Sequence, residues 1–248
     1  MPSERYSGIY QDLKEKIESG VYKPQTFLPS ETMLSARFKC SRGTVRRAIA
    51  MLAEDSYVQS IHGKGVVVIY REPPANRFAF GEIETMREAF ARNGRDYRTK
   101  VLEFTTLTVD RRLSRKTGFS EGEEVYFIQR LRLLDGEPVI LDNNFFLTRI
   151  IPGLTPEIAE QSVYDYLEKE LGDTIVTTKR VLTVEEPTEM DEKVMDLSDC
   201  HAMAVVTSET YNAEGEMFEY TQSRHKPKYF SFYTVARRKH AYSADRNQ

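Results

Sequence analysis

The chain has 248 residues with 35 Lys+Arg against 38 Asp+Glu, a net charge of −3. That length fits one large domain or two modest ones, and the near-balance of charge excludes a protein that is basic throughout. Two cysteines exclude a disulfide framework or a zinc cluster, and four scattered histidines (His62, His201, His225, His240) offer no paired metal-ligand spacing. The charge is unevenly spread: residues 1–72 hold 11 Lys+Arg against 8 Asp+Glu, net +3, and the remainder carries net −6. A basic first domain is the electrostatic footprint expected for nucleic-acid contact. With no long apolar run and no signal peptide in view, a soluble cytoplasmic protein is expected.

In chain order, Tyr6–Ser19 reads as a helix, with Ile9, Leu13 and Ile17 every four residues and Gly20 to end it. Its charges are mixed in sign, which assigns it scaffold work. Pro29 and Ser30 start a second helix, with Leu34 and Phe38 on one face. Lys39 and Cys40 form a short joint, and Ser41 caps a third helix whose apolar stripe is Val45, Ala48, Ile49 and Leu52. Arg42, Gly43, Arg46 and Arg47 occupy the other side of its first turns, with no acidic residue until Glu54. Three arginines alone would suggest only a solvated helix face. Cap, turn and cationic helix in this order instead fit a helix-turn-helix that presents guanidinium groups to base edges and phosphates. Tyr57–Ile61 and Val66–Tyr70 read as strands around His62-Gly63-Lys64-Gly65, a basic, glycine-relaxed wing tip.

Residues 73–78 contain Pro73-Pro74, which impose extended backbone and predict a short semi-rigid connector. Beyond it, helices are predicted at Glu82–Asn93, before Gly118, at Ser162–Leu171 and at Thr188–Asp196. Strands are predicted at Tyr97–Val109, Val125–Leu134, Val139–Phe146, Ile175–Val184, Met203–Asn212, Met217–His225 and Tyr229–Val235, with Asp135-Gly136 turning a hairpin. This pattern predicts an α+β domain with a mostly antiparallel sheet over residues 79–240, and a frayed tail over 241–248.

In the second domain, period two puts Arg130 and Arg132 on one strand face with Tyr126 and Ile128. Adjacent like charges call for an anion between them, and Ser162 opens a helix whose N–H groups favour one. The choice lies between a phosphate site and a surface arginine pair matched by nearby glutamates. A two-residue turn at Asp135-Gly136 would put Asp142 on the opposite face to Arg130, and an odd-length loop would bring them together.

LPSE, SRGTVRRAI and HGKGVVV resemble the N-terminal domain of GntR-type bacterial transcription regulators and cover nearly all of it. That resemblance places Arg42 and Arg46 as base readers, with Thr32, Ser41, Gly43, Thr44, Arg47, His62, Gly63 and Lys64 near the duplex. Thr32 stands where some relatives carry Arg. Arg130-Leu131-Arg132, Ser162-Val163-Tyr164 and the run Phe218–Arg224 resemble the HutC branch, which implies a chorismate-lyase-like effector (UTRA) domain. It further implies that Arg130, Arg132 and Ser162 hold a phosphate. Asp142, Tyr164, Glu219, Arg224 and His225 are then implied to face the rest of the ligand. Asp142 stands where many relatives carry Glu, and His225 where many carry Tyr. VILDNNFF, YDYLEKELG and FEYTQSRHK resemble the trehalose-responsive members of that branch, implying trehalose 6-phosphate as effector, with an amino-sugar phosphate or another acid as the alternative.

The function expected is a homodimeric repressor on double-stranded operator DNA, with no cofactor or metal. An enzyme on the lyase-like fold is disfavoured because no nucleophile with a nearby base and no nucleotide loop is legible. An RNA-binding or purely structural winged helix is disfavoured by the arginine-rich helix and the separate anion site.

Overall fold

The computed structural model describes residues 2–72, 77–79, 95–197 and 200–236. The predicted helix Glu82–Asn93, most of the predicted connector and the predicted tail lie outside the described residues. The chain forms two compact units, one of residues 1–74 with 235–248 and the other of residues 75–234.

The first unit contains α1 (Pro2–Glu18), α2 (Glu31–Phe38), α3 (Arg42–Glu54) and the strands β1 (Val58–Ile61) and β2 (Gly65–Val68). The helix starts follow the expected chemistry: Ser30 Oγ accepts from Met33 N at 3.3 Å and Ser41 Oγ from Thr44 N at 3.2 Å. Between α2 and α3, Lys39 adopts the left-handed conformation, which turns the chain through the two-residue joint. Leu34, Val45, Ala48 and Leu52 are fully buried with Leu13 of α1, so three helical stripes close one core. β1 and β2 pair antiparallel, Ile61 opposite Gly65, and both are shorter than predicted. Gly65, at φ 120°, lets the Phe27 ring approach to 3.5 Å of where a Cβ would stand.

The second unit is built on β4 (Tyr97–Thr108), β5 (Glu124–Leu134), β6 (Glu137–Leu147), β7 (Ile175–Glu185), β8 (Met203–Asn212) and β9 (Met217–His225). They form one antiparallel sheet in the order β4-β5-β6-β9-β8-β7. A separate two-stranded sheet pairs β3 (Arg77–Ala79) in parallel with β10 (Ser231–Tyr233). The last predicted strand therefore does not extend the antiparallel set. Pro227 opens a 3-10 turn through Tyr229, which shortens that strand from its predicted start and redirects it.

Helices α4 (Arg111–Thr117), α5 (Pro156–Gln161), α6 (Val163–Asp165) and α7 (Glu189–Val194) complete the unit. α5 and α6 pack over Ile128 and Phe146 on one face of the sheet. On the other face α7 packs over Leu131, Leu141 and Val205, and α4 over Val125 and Leu147. α5 was not predicted, although Thr155-Pro156-Glu157 carries an N-cap, a first-turn proline and an acid in the first turn. The predicted helix Ser162–Leu171 is a single α-turn that widens into a π-turn over Tyr166–Glu170.

The β5–β6 hairpin resolves the question of faces. Asp135 (φ 51°) and Gly136 (φ 82°) make a two-residue turn with both residues at positive φ, as the twist of a hairpin favours. Leu133 pairs with Pro138 but Arg132 with Ile140, so Val139 is an extra residue on β6. That bulge restores the parity the short turn would have broken. Arg130 lies directly across from Asp142, on the same face.

Candidate functional site

Two surfaces carry the candidate residues, one in each unit. In the first unit, Thr32 is exposed in the first turn of α2, and Ser41, Arg42, Gly43, Arg46 and Arg47 are exposed at the joint and the start of α3, with Thr44 half-buried among them. Thr44 Oγ1 lies 2.9 Å from Ser41 Oγ, which fixes both hydroxyls at the helix start. The side chains differ in what already holds them. Arg46 Nε donates to Glu31 Oε2 at 2.8 Å, an exposed ion pair between α3 and α2. Arg47 lies over the Tyr6 ring, 4.1 Å from its centroid. His62, Gly63 and Lys64 form the exposed wing tip, where Gly63 takes φ 72°. A cationic helix start beside a small basic wing can reach base edges with one element and phosphates with the other.

In the second unit, one sheet face carries a row of buried polar side chains beneath α5 and α6. Arg130 and Arg132 are 6% and 8% exposed, which removes the reading of a surface arginine pair. Arg132 Nε donates to Asp142 Oδ2 at 2.7 Å and its NH1 to Thr99 Oγ1 at 2.7 Å. Burial works against the Arg132 charge, but Tyr97 and Asp142 outweigh it and raise its pKa. Burial alone would raise Asp142, yet the two guanidinium groups and a hydrogen bond from Ser223 hold its carboxyl below the usual range. The anion expected between the arginines is thus supplied, for Arg132, by the protein itself.

Arg130 is different. Its Nε donates to Asn144 Oδ1 at 2.8 Å and its NH1 to the Ala159 carbonyl of α5 at 3.3 Å. No carboxylate lies within 4.0 Å of it among the described residues. Burial and the neighbouring Arg132 push its pKa down to about 10 against the favourable charges of Asp142 and Glu219, so it remains a cation at neutral pH without a direct ion pair among the described residues.

From Arg130 a chain of buried hydrogen bonds runs across three strands to α6. Asn144 Nδ2 donates to Thr221 Oγ1 at 2.7 Å, and Thr221 Oγ1 donates to Glu219 Oε1 at 2.6 Å. Tyr164 OH donates to Glu219 Oε2 at 2.6 Å. Burial, then Glu219 beside it, raises the Tyr164 pKa well above its ordinary value, so the phenol stays a donor. The arrangement has a cationic end at Arg130 and a carboxylate–hydroxyl end at Glu219 and Tyr164. Asn144, Thr221 and Thr99 escaped the sequence reading, although Asn144 lies two residues from Asp142 and Thr221 two from Glu219.

Ser162 caps α6, its Oγ accepting from Asp165 N at 3.1 Å, three residues beyond the Ala159 carbonyl that Arg130 touches. The single α-turn after it is too short to supply the aligned dipole expected of a full helix. His225 is buried on the same sheet face as Asp142, its ring 5.0 Å from that of Phe230. Burial drives its pKa down to about 4, so it is neutral at neutral pH.

Arg224 departs from the expected set. Adjacent residues on β9 alternate, and Arg224 pairs with Leu141 on the opposite face from His225 and Asp142. There Nε donates to Asp191 Oδ2 at 2.7 Å, NH1 to Glu185 Oε2 at 2.6 Å and NH2 to the Glu186 carbonyl at 2.8 Å. It clamps α7 to the sheet and does not share the polar site.

Among the described residues no helix is long and apolar enough to cross a membrane. The model of bacterial regulatory proteins of the gntR family matches residues 5–68, and the UTRA domain model matches residues 92–231. The chain is similar to the HTH-type transcriptional regulator TreR of Bacillus subtilis (strain 168), 34% identical over 96% of this chain and 99% of that protein. The crystal structure of the possible transcriptional regulator YydK from Bacillus subtilis shares the fold, with a TM-score of 0.77 over 94% of this chain and 99% of that one at 18% identity. The effector-binding domain of the Bacillus subtilis trehalose repressor matches 57% of this chain and 98% of its own, with a TM-score of 0.52 and 33% identity. These relatives are regulators, and the enzyme reading falls away with them. The chain belongs to the GntR family of bacterial regulatory proteins, as a DNA-binding transcriptional regulator with a UTRA domain.

Proposed function

We propose that this regulator is a cytoplasmic repressor of a sugar-utilisation operon, most specifically one for trehalose, and that trehalose 6-phosphate releases it from its operator. The observation that carries the reading is Arg130: buried, cationic, without a carboxylate within 4.0 Å among the described residues, and hydrogen-bonded through Asn144 and Thr221 to Glu219. A phosphate completes the charge at Arg130, with Ser162 beside it and Arg132 close behind. Sugar hydroxyls then exchange with the Tyr164–Glu219 hydrogen bond, and Asp142 and His225 line the same face. The similarity to a protein named as a trehalose repressor supports the choice of sugar.

On this reading residues 1–72 bind DNA, 73–78 connect, and 79–240 bind the effector. Arg42 and Arg46 read bases, while Thr32, Ser41, Gly43, Thr44, Arg47 and the wing tip His62-Gly63-Lys64 approach the backbone or minor groove. One short recognition helix reads too few bases for specificity, so the protein acts as a homodimer on a two-fold related operator.

A thermal-shift series tests the effector. A ligand that binds only the native state must raise the melting temperature. Trehalose 6-phosphate is expected to raise it, free trehalose and inorganic phosphate much less, and Arg130→Ala is expected to lose the shift. If a different sugar phosphate gives the only shift, trehalose 6-phosphate is wrong. If none does, the anion site is wrong.

A further inference from the structure

β3 is the first described element of the second unit, and only Ala75 and Asn76 separate it from Pro73-Pro74. It is not part of the six-stranded sheet. Its ladder is with β10, Ser231 opposite Arg77 and Tyr233 opposite Ala79. So short a pair does not persist alone, because two-stranded sheets are marginal and parallel pairing is the weaker kind. Whatever holds β10 therefore holds the entry strand of the unit.

β10 is held from the β5–β6 hairpin. Lys226 N donates at 3.0 Å to the carbonyl of Val139, the bulge residue that sets Asp142 across from Arg130. Lys226 Nζ donates to Glu137 Oε1 at 2.7 Å, and Tyr229 OH donates to the other oxygen of the same carboxylate. Lys226 first, and then Tyr229, hold the Glu137 carboxyl below the usual range, so the clip is charged at neutral pH. The Tyr229 ring packs on Leu134, Val139 and Ile140. Tyr229 N bonds to the Lys226 carbonyl and Phe230 N to that of Pro227, which closes the 3-10 turn directly before Ser231. Lys226 and Tyr229 flank this turn and converge on one carboxylate, so turn and β10 are tied to the hairpin as one piece.

The same turn meets the polar site. His225, on the Asp142 face of the sheet, has its ring 5.0 Å from that of Phe230, the residue that leads into β10. From Asp142 to β3 each step is a packed ring, a hydrogen bond or a ladder: His225, Phe230, β10, β3.

On the reading of function given above, we propose that the Glu137–Lys226–Tyr229 clip and the His225–Phe230 contact form the coupling element that carries effector occupancy to β3 and the connector. A ligand on the Asp142 face reorients the His225 ring against Phe230. Because the clip makes the turn rigid, β10 and β3 follow the shift together instead of absorbing it.

The test uses the full-length chain and trehalose 6-phosphate. Glu137→Gln with Tyr229→Phe opens the clip without emptying its space, and Phe230→Leu, made separately, removes the ring that His225 meets. Thermal shift, operator affinity and hydrogen exchange of the amides at 77–79 are read for each. The wild type is expected to show the shift, at least fivefold release from the operator, and altered exchange at 77–79. Both variants are expected to keep the thermal shift and the unliganded operator affinity. Their release should fall below about twofold, and exchange at 77–79 should no longer respond. Variants released like the wild type overturn the coupling element. So does loss of their thermal shift, which would place these residues in ligand binding. A wild type that is shifted and released with unaltered exchange at 77–79 removes β3 from the route and leaves the effector reading intact. If the wild type shows no thermal shift, the effector reading fails and the coupling element fails with it.

Discussion

At the scale of single residues, function rests on how each charge is already satisfied before a ligand arrives. Arg46 holds Glu31 in an exposed ion pair, worth about 1 kcal/mol at most, which DNA can readily displace. A bidentate guanine contact is worth roughly 1–3 kcal/mol, so Arg46→Ala should weaken operator binding by about that amount in a titration. Unchanged affinity would remove Arg46 from the base readers. His225 gives a pH signature. Its folded pKa of about 4 lies below the 6.5 of an unperturbed histidine, so the unfolded chain binds the extra proton between those values. Stability from this group is fully present above pH 6.5 and lost progressively as pH falls toward 4, on the order of 3 kcal/mol in total. In His225→Asn that part of the acid destabilisation should disappear from urea unfolding curves taken across the window. A wild-type slope retained in the variant would assign it to other groups.

At the scale of elements, the winged helix-turn-helix was almost wholly legible, because its signals are local. Ser30 and Ser41 cap the helices they were expected to cap, and Val45, Ala48, Ile49 and Leu52 form the buried stripe. The second unit was legible in its strands but less so in its faces. One extra residue, Val139, decides that Asp142 faces Arg130, and no pattern of alternation in β6 announces it. Arg224 lies on the other face from His225 by the period of two along β9, and that parity is legible in the sequence. Two further elements carry testable roles. Lys64 on the wing should make one phosphate contact, so Lys64→Ala should make the salt dependence of operator binding shallower by about one unit. An identical slope would place the wing tip in solvent. In the α7 clamp, fully buried Asp191 accepts from Thr188 N, Thr188 Oγ1 and Arg224 Nε. Asp191→Ala removes one partner of a buried charge and should cost on the order of 3–5 kcal/mol in denaturant unfolding of the second unit. A loss below about 1 kcal/mol would mean that Glu185 alone suffices to hold Arg224.

For the whole molecule, the proposed function couples operator binding by the first unit to effector binding by the second in one equilibrium. Effector and operator must weaken each other by the same factor, on the order of 5–150-fold for a coupling of 1–3 kcal/mol. In the proposed function Arg130 is the residue on which this coupling turns, since it has no carboxylate within 4.0 Å among the described residues while Arg132 is paired with Asp142. The direct measurement is operator affinity of the wild type and Arg130→Ala, with and without saturating trehalose 6-phosphate. The ligand is expected to weaken wild-type binding at least fivefold, and Arg130→Ala is expected to bind the operator like the unliganded wild type and to ignore the ligand. An Arg130→Ala protein that is released as readily as the wild type would contradict the proposed function.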